Sequence, residues 1–335
     1  MLYAMRSRTI PSLLAAVAAV AAVAAVVLVA MPATGAGATQ RRSRGCGQKA
    51  VSGVTTRHLT VGGVDREYLL AIPDDYDPSK PAPLLFDFHG LGSNMQEQSL
   101  YTELDVRGGA RGYVVITPNG QGDILRHWSL LPSASSNPDV AFAQAMLRAT
   151  DRALCIDHKR MFSTGISNGA IFSTVLACAL PGRLAAIAPV AGINVTEVCA
   201  PGTPRVSVLA LHGTADPVVP YSGGEYLSGS PIGRLLGVPT AKPVDDATAA
   251  WAAFDGCGTP PRQSRVADDV QRFVWPHCPA TGAVELYRVV GGGHTWPGAP
   301  AVREGQLGPT TASIDATKLM LDFFDSRKVA PQMRP

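Results

Sequence analysis

Ser167 has the surroundings that a catalytic serine needs. It stands in the middle of the pentapeptide Gly-Ile-Ser-Asn-Gly at 165–169, between a β-like run at 160–164 and a helix-like run at 170–180. A serine held on a sharp strand-to-helix turn needs small neighbours, because a side chain at either glycine would collide with nearby backbone. The pentapeptide pattern alone also occurs by chance in many chains. Its position between a strand and a helix predicts that Ser167 is a nucleophile.

Two further side chains complete a possible catalytic set. A serine hydroxyl attacks a carbonyl group only when a base removes its proton and an acid fixes the tautomer of that base. Asp216 follows an apolar, strand-like run at 206–211, and His294 follows the last strand-like run, directly after three glycines at 291–293. The chain order Ser, Asp, His is that of the α/β-hydrolase fold and differs from the orders of chymotrypsin and subtilisin. We therefore predict Ser167 as nucleophile, Asp216 as acid and His294 as base.

Other assignments of the acid and the base remain open at this point. Asp139 or Asp157 could serve as the acid, although neither follows a strand in the required position, and Asp216 could merely cap a turn. His89 and His212 lie in similar His-Gly pairs after strand-like runs. We expect these two imidazoles to brace loops by hydrogen bonding rather than to transfer protons.

An acyl-transfer site also needs two backbone N–H groups aimed at the carbonyl oxygen that becomes charged. One is predicted at Asn168, directly after the nucleophile. The other is predicted at Leu91, in the turn that follows the strand-like run 84–88. Glycines on both sides of Leu91 allow that backbone to approach a ligand closely.

Two tryptophans and one long loop are candidates for the substrate pocket. Trp296 lies two residues after His294, and Trp128 lies in an Arg-His-Trp-Ser segment after the second central strand. An indole offers a broad flat contact for a substrate, and simple core packing is the alternative for both side chains. The loop at 223–243 is expected to border the cleft.

The hydrophobic pattern predicts the elements that position these residues. A hairpin at 56–72 precedes short apolar runs separated by helix-like stretches, which is typical of strands buried on both faces of a parallel sheet. The predicted strands are 84–88, 113–116, 161–163, 206–211 and 284–290, and the predicted helices are 141–154, 170–180, 248–254 and 314–324. We therefore expect an α/β fold, with a mostly parallel doubly wound sheet and no separate lid domain.

The beginning of the chain is predicted to be a targeting segment. Arg6 and Arg8 precede an apolar stretch at 13–30, and small residues at 36–38 offer a cleavage site. We expect residues 1–38 to be a signal peptide and 39–335 to form a single catalytic domain that is secreted. The alternative is that the apolar stretch remains as a membrane anchor.

Charge and cysteine content exclude some classes of protein and favour others. The formal net charge is only +3, without a basic stripe, so we expect no nucleic-acid partner, and no obligate protein partner is evident.

The six cysteines of this chain, which we expect to be exported, suggest three disulfides. Six cysteines allow fifteen pairings. Neighbourhood along the chain favours Cys178–Cys199 and Cys257–Cys278, and Cys46 would then tie the terminus to Cys155. A buried free thiol at Cys155 or Cys178 is the alternative. No Cys-x-x-Cys or His-x-x-x-His spacing predicts a metal site.

Several motifs together resemble one family, the secreted esterases grouped with polyhydroxybutyrate depolymerases and microbial feruloyl and acetylxylan esterases. The resemblance covers nearly all of 39–335. It rests on Cys46-Gly47, the segment 68–77, Phe88-His89-Gly90, the pentapeptide at 165–169, the block Ile187-Ala188-Pro189-Val190-Ala191-Gly192, His212-Gly213-Thr214-Ala215-Asp216 and Gly292-Gly293-His294-Thr295-Trp296-Pro297-Gly298. The resemblance implies Ser167 as nucleophile, Asp216 as acid and His294 as base, with no metal and no organic cofactor.

The resemblance also implies an ester substrate outside the cell. Depolymerases that attack solid polyester usually carry an extra binding domain, which we do not find before Pro335, and many of them have Cys where this chain has Leu91. We therefore predict a serine carboxylesterase that acts on feruloyl or acetyl esters of plant cell-wall saccharides. The alternatives are a polyhydroxybutyrate depolymerase, an acyltransferase, and a binding protein on an idle hydrolase scaffold.

Overall fold

A ten-stranded β-sheet organises the part of the chain that the computed structural model describes, namely residues 43–122, 125–131, 135–225, 240–279, 282–300 and 304–329. Its strands are β1 Gly53–Val61, β2 Val64–Ile72, β3 Ala82–Phe88, β4 Val114–Pro118, β5 Ile156–Ile166, β6 Ala186–Val190, β7 Ser207–Gly213, β8 Arg262–Ala267, β9 Val270–Val274 and β10 Val284–Val289. The helices in these ranges are α1 Met95–Thr102, α2 Leu104–Gly109, α3 Pro138–Ala153, α4 Asn168–Ala179, α5 Val244–Asp255, α6 Glu304–Leu307 and α7 Ala316–Asp325.

The strand order is β1-β2-β4-β3-β5-β6-β7-β10-β9-β8. All neighbours from β4 to β10 pair in parallel, whereas β1, β2, β8 and β9 form antiparallel edges. In a parallel sheet the carboxyl ends of the strands meet at one edge, which is where loops with functional side chains collect. The predicted mostly parallel α/β sheet is confirmed.

Side chains on successive strand residues enter two separate cores, because strand residues alternate between the faces of a sheet. Phe86 and Phe88 of β3 lie in one core with Phe172 of α4, whereas Leu85 lies in the other with Phe324 of α7. Helices α3, α4 and α5 cover the first face, and α2 and α7 cover the second. This two-sided burial explains why the central strands read as continuous apolar runs.

Helix α3 shows why some predicted boundaries were displaced. The periodic apolar pattern predicts a start at 141, but the helix begins at Pro138. The side chain of Asn137 accepts hydrogen bonds from the N–H groups of Asp139 and Val140, and proline is well tolerated in the first helical turn. Capping chemistry therefore extends the helix by one turn beyond its apolar stripe.

Three disulfides join Cys46 to Cys155, Cys178 to Cys199 and Cys257 to Cys278. These are the predicted pairs, and no free cysteine occurs in the described ranges. The pair Cys178–Cys199 ties the end of α4 to the segment that follows β6. That segment is part of the site described below.

The predicted signal peptide at 1–38 lies outside the described residues, so the domain boundary near Ala38 stays a prediction. The described residues belong to one compact unit. Among them, no helix has the length and apolar character that crossing a membrane requires. They also include no group of three or more His, Cys, Asp or Glu side chains placed to hold a metal ion.

Candidate active site

Ser167 occupies a strained turn between β5 and α4. Its backbone has a φ of +57° and a ψ of −124°, a conformation that a non-glycine residue rarely adopts. The Ser167 N–H donates to the Val190 carbonyl over 2.9 Å, which holds the turn against β6. A Cβ atom at Gly169 would lie 2.1 Å from the Phe88 carbonyl oxygen, and one at Gly165 would lie 2.4 Å from the same atom. The two glycines therefore let the turn pack directly on the end of β3.

Asp216 and His294 come together on the loops that leave β7 and β10, which are parallel neighbours. The Nδ1–H of His294 donates to Oδ2 of Asp216 over 2.8 Å. The other carboxylate oxygen accepts from the N–H groups of Val218 and Val219, each at 2.8 Å. These bonds fix the carboxylate and present the second imidazole nitrogen away from it.

The ionised form of Asp216 is stabilised although the side chain is buried. Burial acts to raise the pKa of Asp216, but the charge of His294 and hydrogen bonds from His212 and His294 outweigh it. The resulting pKa lies well below the usual range of a carboxyl group. Such an acid remains an acceptor at neutral pH and can stabilise a protonated imidazole.

Ser167 and His294 line one cavity of about 510 Å³, which we call the catalytic cavity. Its walls include Gly90, Leu91, Gln98, Leu100, Tyr101, Ile166, Pro300 and Leu307. Among the described residues, no hydrogen bond joins the Ser167 hydroxyl to the His294 imidazole in this conformation. Catalytic hydrogen bonds are often long in ligand-free enzymes and tighten when substrate binds. The structure thus brings the three predicted residues to one site, with the acid and base already paired.

Leu91 and Asn168 lie on adjacent turns beside the nucleophile. The Cβ position of Gly90 is 3.5 Å from the Ser167 Cβ, so the turn after β3 approaches the nucleophile at van der Waals distance. The N–H groups of Leu91 and Asn168 have no hydrogen-bond acceptor among the described residues. Free amides next to a nucleophile are what an oxyanion hole needs.

His89 braces the turn that carries Leu91, as predicted. Its Nε2 accepts from the Gly120 N–H at 2.9 Å, so its Nδ1–H donates to the Gly90 carbonyl at 2.7 Å. Burial lowers the pKa of His89 to about 4, and the hydrogen bond to Gly90 opposes this only in part. His89 is therefore neutral at ordinary pH, with both ring nitrogens committed to loop backbone.

His212 also braces a loop. Its Nε2–H is shared between the Val219 carbonyl, at 2.9 Å, and Oδ2 of Asp216, at 3.3 Å.

The two alternative candidates for the catalytic acid lie away from the site. Asp139 pairs with buried Arg66, and Asp157 bonds Arg160. Neither contacts an imidazole of the site.

Trp296 is placed in the core and not in the cleft, so its predicted role as a substrate contact is wrong. The side chain is only 1% exposed, and its Nε1–H donates to the Thr317 hydroxyl. The Trp296 N–H donates to the Tyr101 hydroxyl, and the indole lies in the same core cluster as Ala316, Met320 and Phe324 of α7. Closeness in sequence to the base was a poor guide to the direction of this side chain.

The Trp128 side chain is buried to the same degree and packs on Phe88 and Phe172. Trp128 also lines the cavity along α4 that is described below, so its contact with a substrate stays a prediction. Its Nε1–H donates to the His89 carbonyl. Its backbone N–H and carbonyl pair with the side-chain amide of Asn168, at 2.6 and 3.2 Å. Trp128 therefore links the two turns that carry the free amides.

A second and larger cavity, of about 830 Å³, runs along one face of α4. We call it the α4 cavity. Its lining includes Leu91, Trp128, Ser129, Leu130, Leu131, Asn168, Thr174, Val175, Cys178, Val195, Thr196, Glu197, Val198, Cys199, Thr203, Thr240 and Lys242. Of the loop at 223–243, Thr240 and Lys242 line this cavity, and residues 226–239 lie outside the described ranges.

Sequence reasoning missed the contribution of α1 to the site. Gln98, Leu100 and Tyr101 of this helix line the catalytic cavity. The helix is fixed by Asp87, a fully buried carboxyl on β3 that accepts from Gln98 Nε2 at 2.7 Å and from the Thr102 hydroxyl at 2.6 Å. The sequence carries no strong signal for this contact, because the partners are ordinary polar residues more than ten positions apart.

Comparisons with known proteins agree with the fold and show the family of the chain. Feruloyl esterase C of Emericella nidulans is 31% identical over 226 residues, which cover 65% of this chain and 79% of that protein. A probable feruloyl esterase C of Aspergillus niger is 32% identical over 204 residues, covering 58% of this chain and 72% of the relative. No family model matches the chain.

The solved structure of an acetyl xylan esterase from Aspergillus awamori superposes with a TM-score of 0.57 over 81% of this chain and 99% of that one. The two sequences are only 14% identical, so this likeness concerns the fold. The sequence relatives go further, since the first of them combines more than 30% identity with coverage of most of its length. The chain belongs to the feruloyl esterase family of α/β-hydrolases.

Proposed function

We propose that this carboxylic ester hydrolase cleaves feruloyl esters of plant cell-wall saccharides through an acyl-enzyme on Ser167. The observation that carries the proposal is the hydrogen bond of His294 to buried Asp216, on the wall of the cavity that Ser167 also lines. The substrate class comes from the relatives, which are feruloyl esterases by name. Acetyl esters of the same saccharides are the alternative within this class.

The first half of the reaction forms the acyl-enzyme. His294 Nε2 takes the proton of the Ser167 hydroxyl while the hydroxyl oxygen attacks the ester carbonyl carbon. The carbonyl oxygen becomes an oxyanion, and the free N–H groups of Leu91 and Asn168 are the donors that stabilise it. The tetrahedral intermediate collapses when the bond to the alcohol oxygen breaks and His294 gives its proton to that oxygen.

The second half repeats this chemistry with water. His294 takes a proton from a water molecule, whose oxygen attacks the acyl carbonyl. The bond to Ser167 then breaks, and the serine oxygen recovers the proton from His294. Asp216 stays ionised throughout, because its pKa is held well below the usual range, and it stabilises the imidazolium in both steps.

Labelling with a fluorophosphonate tests whether Ser167 is the nucleophile. We expect stoichiometric labelling that is abolished in Ser167→Ala and retained in Ser79→Ala, because Ser79 is an exposed serine that only bonds Asp77. Absence of labelling of the unsubstituted protein at neutral pH would favour a binding protein on a hydrolase scaffold.

Substrate assays separate the ester classes. We expect release of ferulate from methyl ferulate with a higher kcat/KM than release of acetate from acetylated xylo-oligosaccharides. Clearing of an amorphous polyhydroxybutyrate suspension, without ferulate release, would instead identify a polyester depolymerase.

We also propose that the protein works outside the cell. The three disulfides support this, because disulfides persist in oxidising compartments. Expression with the native leader should deliver soluble protein to the medium, with its new N-terminus near Ala38. Full-length protein in the membrane fraction would contradict cleavage.

A further inference from the structure

The catalytic cavity and the α4 cavity meet at Leu91, which lines both. Asn168, whose N–H is the second proposed oxyanion donor, lines the α4 cavity. An ester carbonyl held by these two amides therefore lies at the junction of the two spaces. Only the catalytic cavity has His294 in its wall.

We propose that the α4 cavity binds the acyl half of the ester and that the catalytic cavity receives the alcohol half; this assignment rests on the proposed function. Three groups surround the ester carbonyl carbon. The carbonyl oxygen points to the two amides, and the alcohol oxygen must reach His294 Nε2, because that nitrogen protonates it as it leaves. The acyl chain takes the remaining direction, past Leu91 and away from His294.

The lining of the α4 cavity fits an aromatic acyl group with polar ring substituents. Val175 and Val195 are buried residues of the apolar wall, and Leu130 packs against the cluster that contains Val195. Ser129 and Thr203 are polar residues in the same lining. Ligand sites commonly combine apolar walls with a few hydrogen-bonding groups that fix orientation. An acetyl group would leave most of the 830 Å³ to water.

The far wall of the α4 cavity is held in place before any ligand binds. The hydroxyls of Thr174 and Thr196 share a hydrogen bond of 2.6 Å, which joins α4 to the segment after β6. The disulfide Cys178–Cys199 closes the same segment one helical turn further along. A wall that is already ordered loses little conformational entropy when a ligand binds.

Substitutions that fill each cavity test the assignment. Val198→Trp and Leu131→Trp place an indole in the α4 cavity, at a half-buried and an exposed position respectively, and Leu100→Trp is the matched change at an exposed position of the catalytic cavity. The assay compares kcat/KM for 4-nitrophenyl ferulate and 4-nitrophenyl acetate. These esters share one alcohol, so their ratio reports only on the acyl half.

We expect the ratio of kcat/KM for the ferulate ester to kcat/KM for the acetate ester to fall at least about tenfold in the two α4-cavity variants. In Leu100→Trp we expect an unchanged ratio and a lower kcat/KM for ferulate esters of large alcohols relative to methyl ferulate. An unchanged ratio in Leu131→Trp together with a lower ratio in Leu100→Trp would overturn the assignment. Inactivity of the unsubstituted protein on both nitrophenyl esters would instead overturn the proposed function beneath it.

Discussion

The buried carboxyl of Asp87 should make the protein less stable as pH rises through neutrality, and Asp87→Asn should remove this effect. Asp87 is fully buried on β3, and no cation pairs with it in the described part of the chain. Burial raises the pKa of Asp87 to about 7 from an ordinary 3.8, although the hydrogen bonds from Thr102 and Gln98 oppose the increase and nearby Asp105 adds to it.

The sign follows from the two pKa values. Below about pH 4 the carboxyl is protonated in both the folded and the unfolded chain, so its contribution to stability is fully present. Between pH 3.8 and about 7 the unfolded chain loses the proton and the folded chain keeps it, so the free energy of unfolding falls with rising pH. Above about pH 7 the loss is complete. Between pH 5 and pH 8 this one group should remove about 2–3 kcal/mol of stability.

Urea unfolding at pH 5 and at pH 8, with the disulfides intact, measures the difference. An amide does not titrate, so Asp87→Asn should lose about 2–3 kcal/mol less than the unsubstituted protein across this interval. Each protein is compared with itself at the two pH values. The amide that replaces the Asp87 carboxyl has one acceptor oxygen in place of two, so the substitution lowers stability at every pH, and this constant loss cancels in the difference between pH 5 and pH 8. Asp255, whose pKa burial also raises to about 7, is present in both proteins and cancels.

Asp77→Asn is the matched control. Asp77 is partly exposed, and the hydrogen bonds from Ser79 lower its pKa to about 2, so it stays ionised from pH 5 to pH 8 in the folded protein. This variant should keep the full loss of stability. Equal losses in Asp87→Asn and in the unsubstituted protein would refute the reasoning.

The remaining tests address the acid, the tight turn and one disulfide. Asp216→Asn should leave a folded protein whose kcat on 4-nitrophenyl acetate is lower by about four orders of magnitude, because the imidazole takes the wrong tautomer, and a loss below about tenfold would contradict its role. Gly169→Ala should lower the urea midpoint far more than Gly109→Ala, since the first Cβ would meet backbone at 2.1 Å and the second meets nothing within 4 Å; equal midpoints would disprove the steric argument. Replacing Cys178 and Cys199 together by Ala opens a loop of 21 residues. This double substitution should lower the free energy of unfolding by about 3 kcal/mol in the same urea assay. An unchanged free energy of unfolding would show that the disulfide does not stabilise the fold.

Local patterns carried the prediction of the triad. The glycines around Ser167 are a steric requirement of one turn, and such a requirement is visible in five consecutive residues. Asp216 and His294 each follow an apolar run, and parallel strands bring the loops after them to the same edge of the sheet. Distant residues could therefore be assigned to one site without knowledge of any contact between them.

Helix α1 could not be predicted in the same way. Its residues at 95–102 include few apolar side chains, so they have no clear helical stripe. The helix begins after the Asn94 cap, a local contact that accepts from two backbone N–H groups, and it is held by the buried bonds to Asp87. The bonds to Asp87 are tertiary contacts, so the sequence did not show that Gln98 and Tyr101 would form a wall of the catalytic cavity.

The edge hairpin of β8 and β9 was missed for a related reason. Residues 262–266 are exposed along both faces of the strand, so they show no alternation of apolar and polar side chains.

Trp296 illustrates a different error, in which a residue close to His294 in sequence was expected to share its position in the active site. The Trp296 indole donates to the Thr317 hydroxyl of α7, a contact between residues 21 positions apart.

The segment after β6 is joined to α4 by the disulfide Cys178–Cys199 and lines the α4 cavity. It carries none of the three predicted catalytic residues Ser167, Asp216 and His294. A substitution in this cross-linked stretch would therefore alter the lining of the α4 cavity while leaving Ser167, Asp216 and His294 in place. The same disulfide that holds the segment limits how far its backbone can shift when a side chain changes.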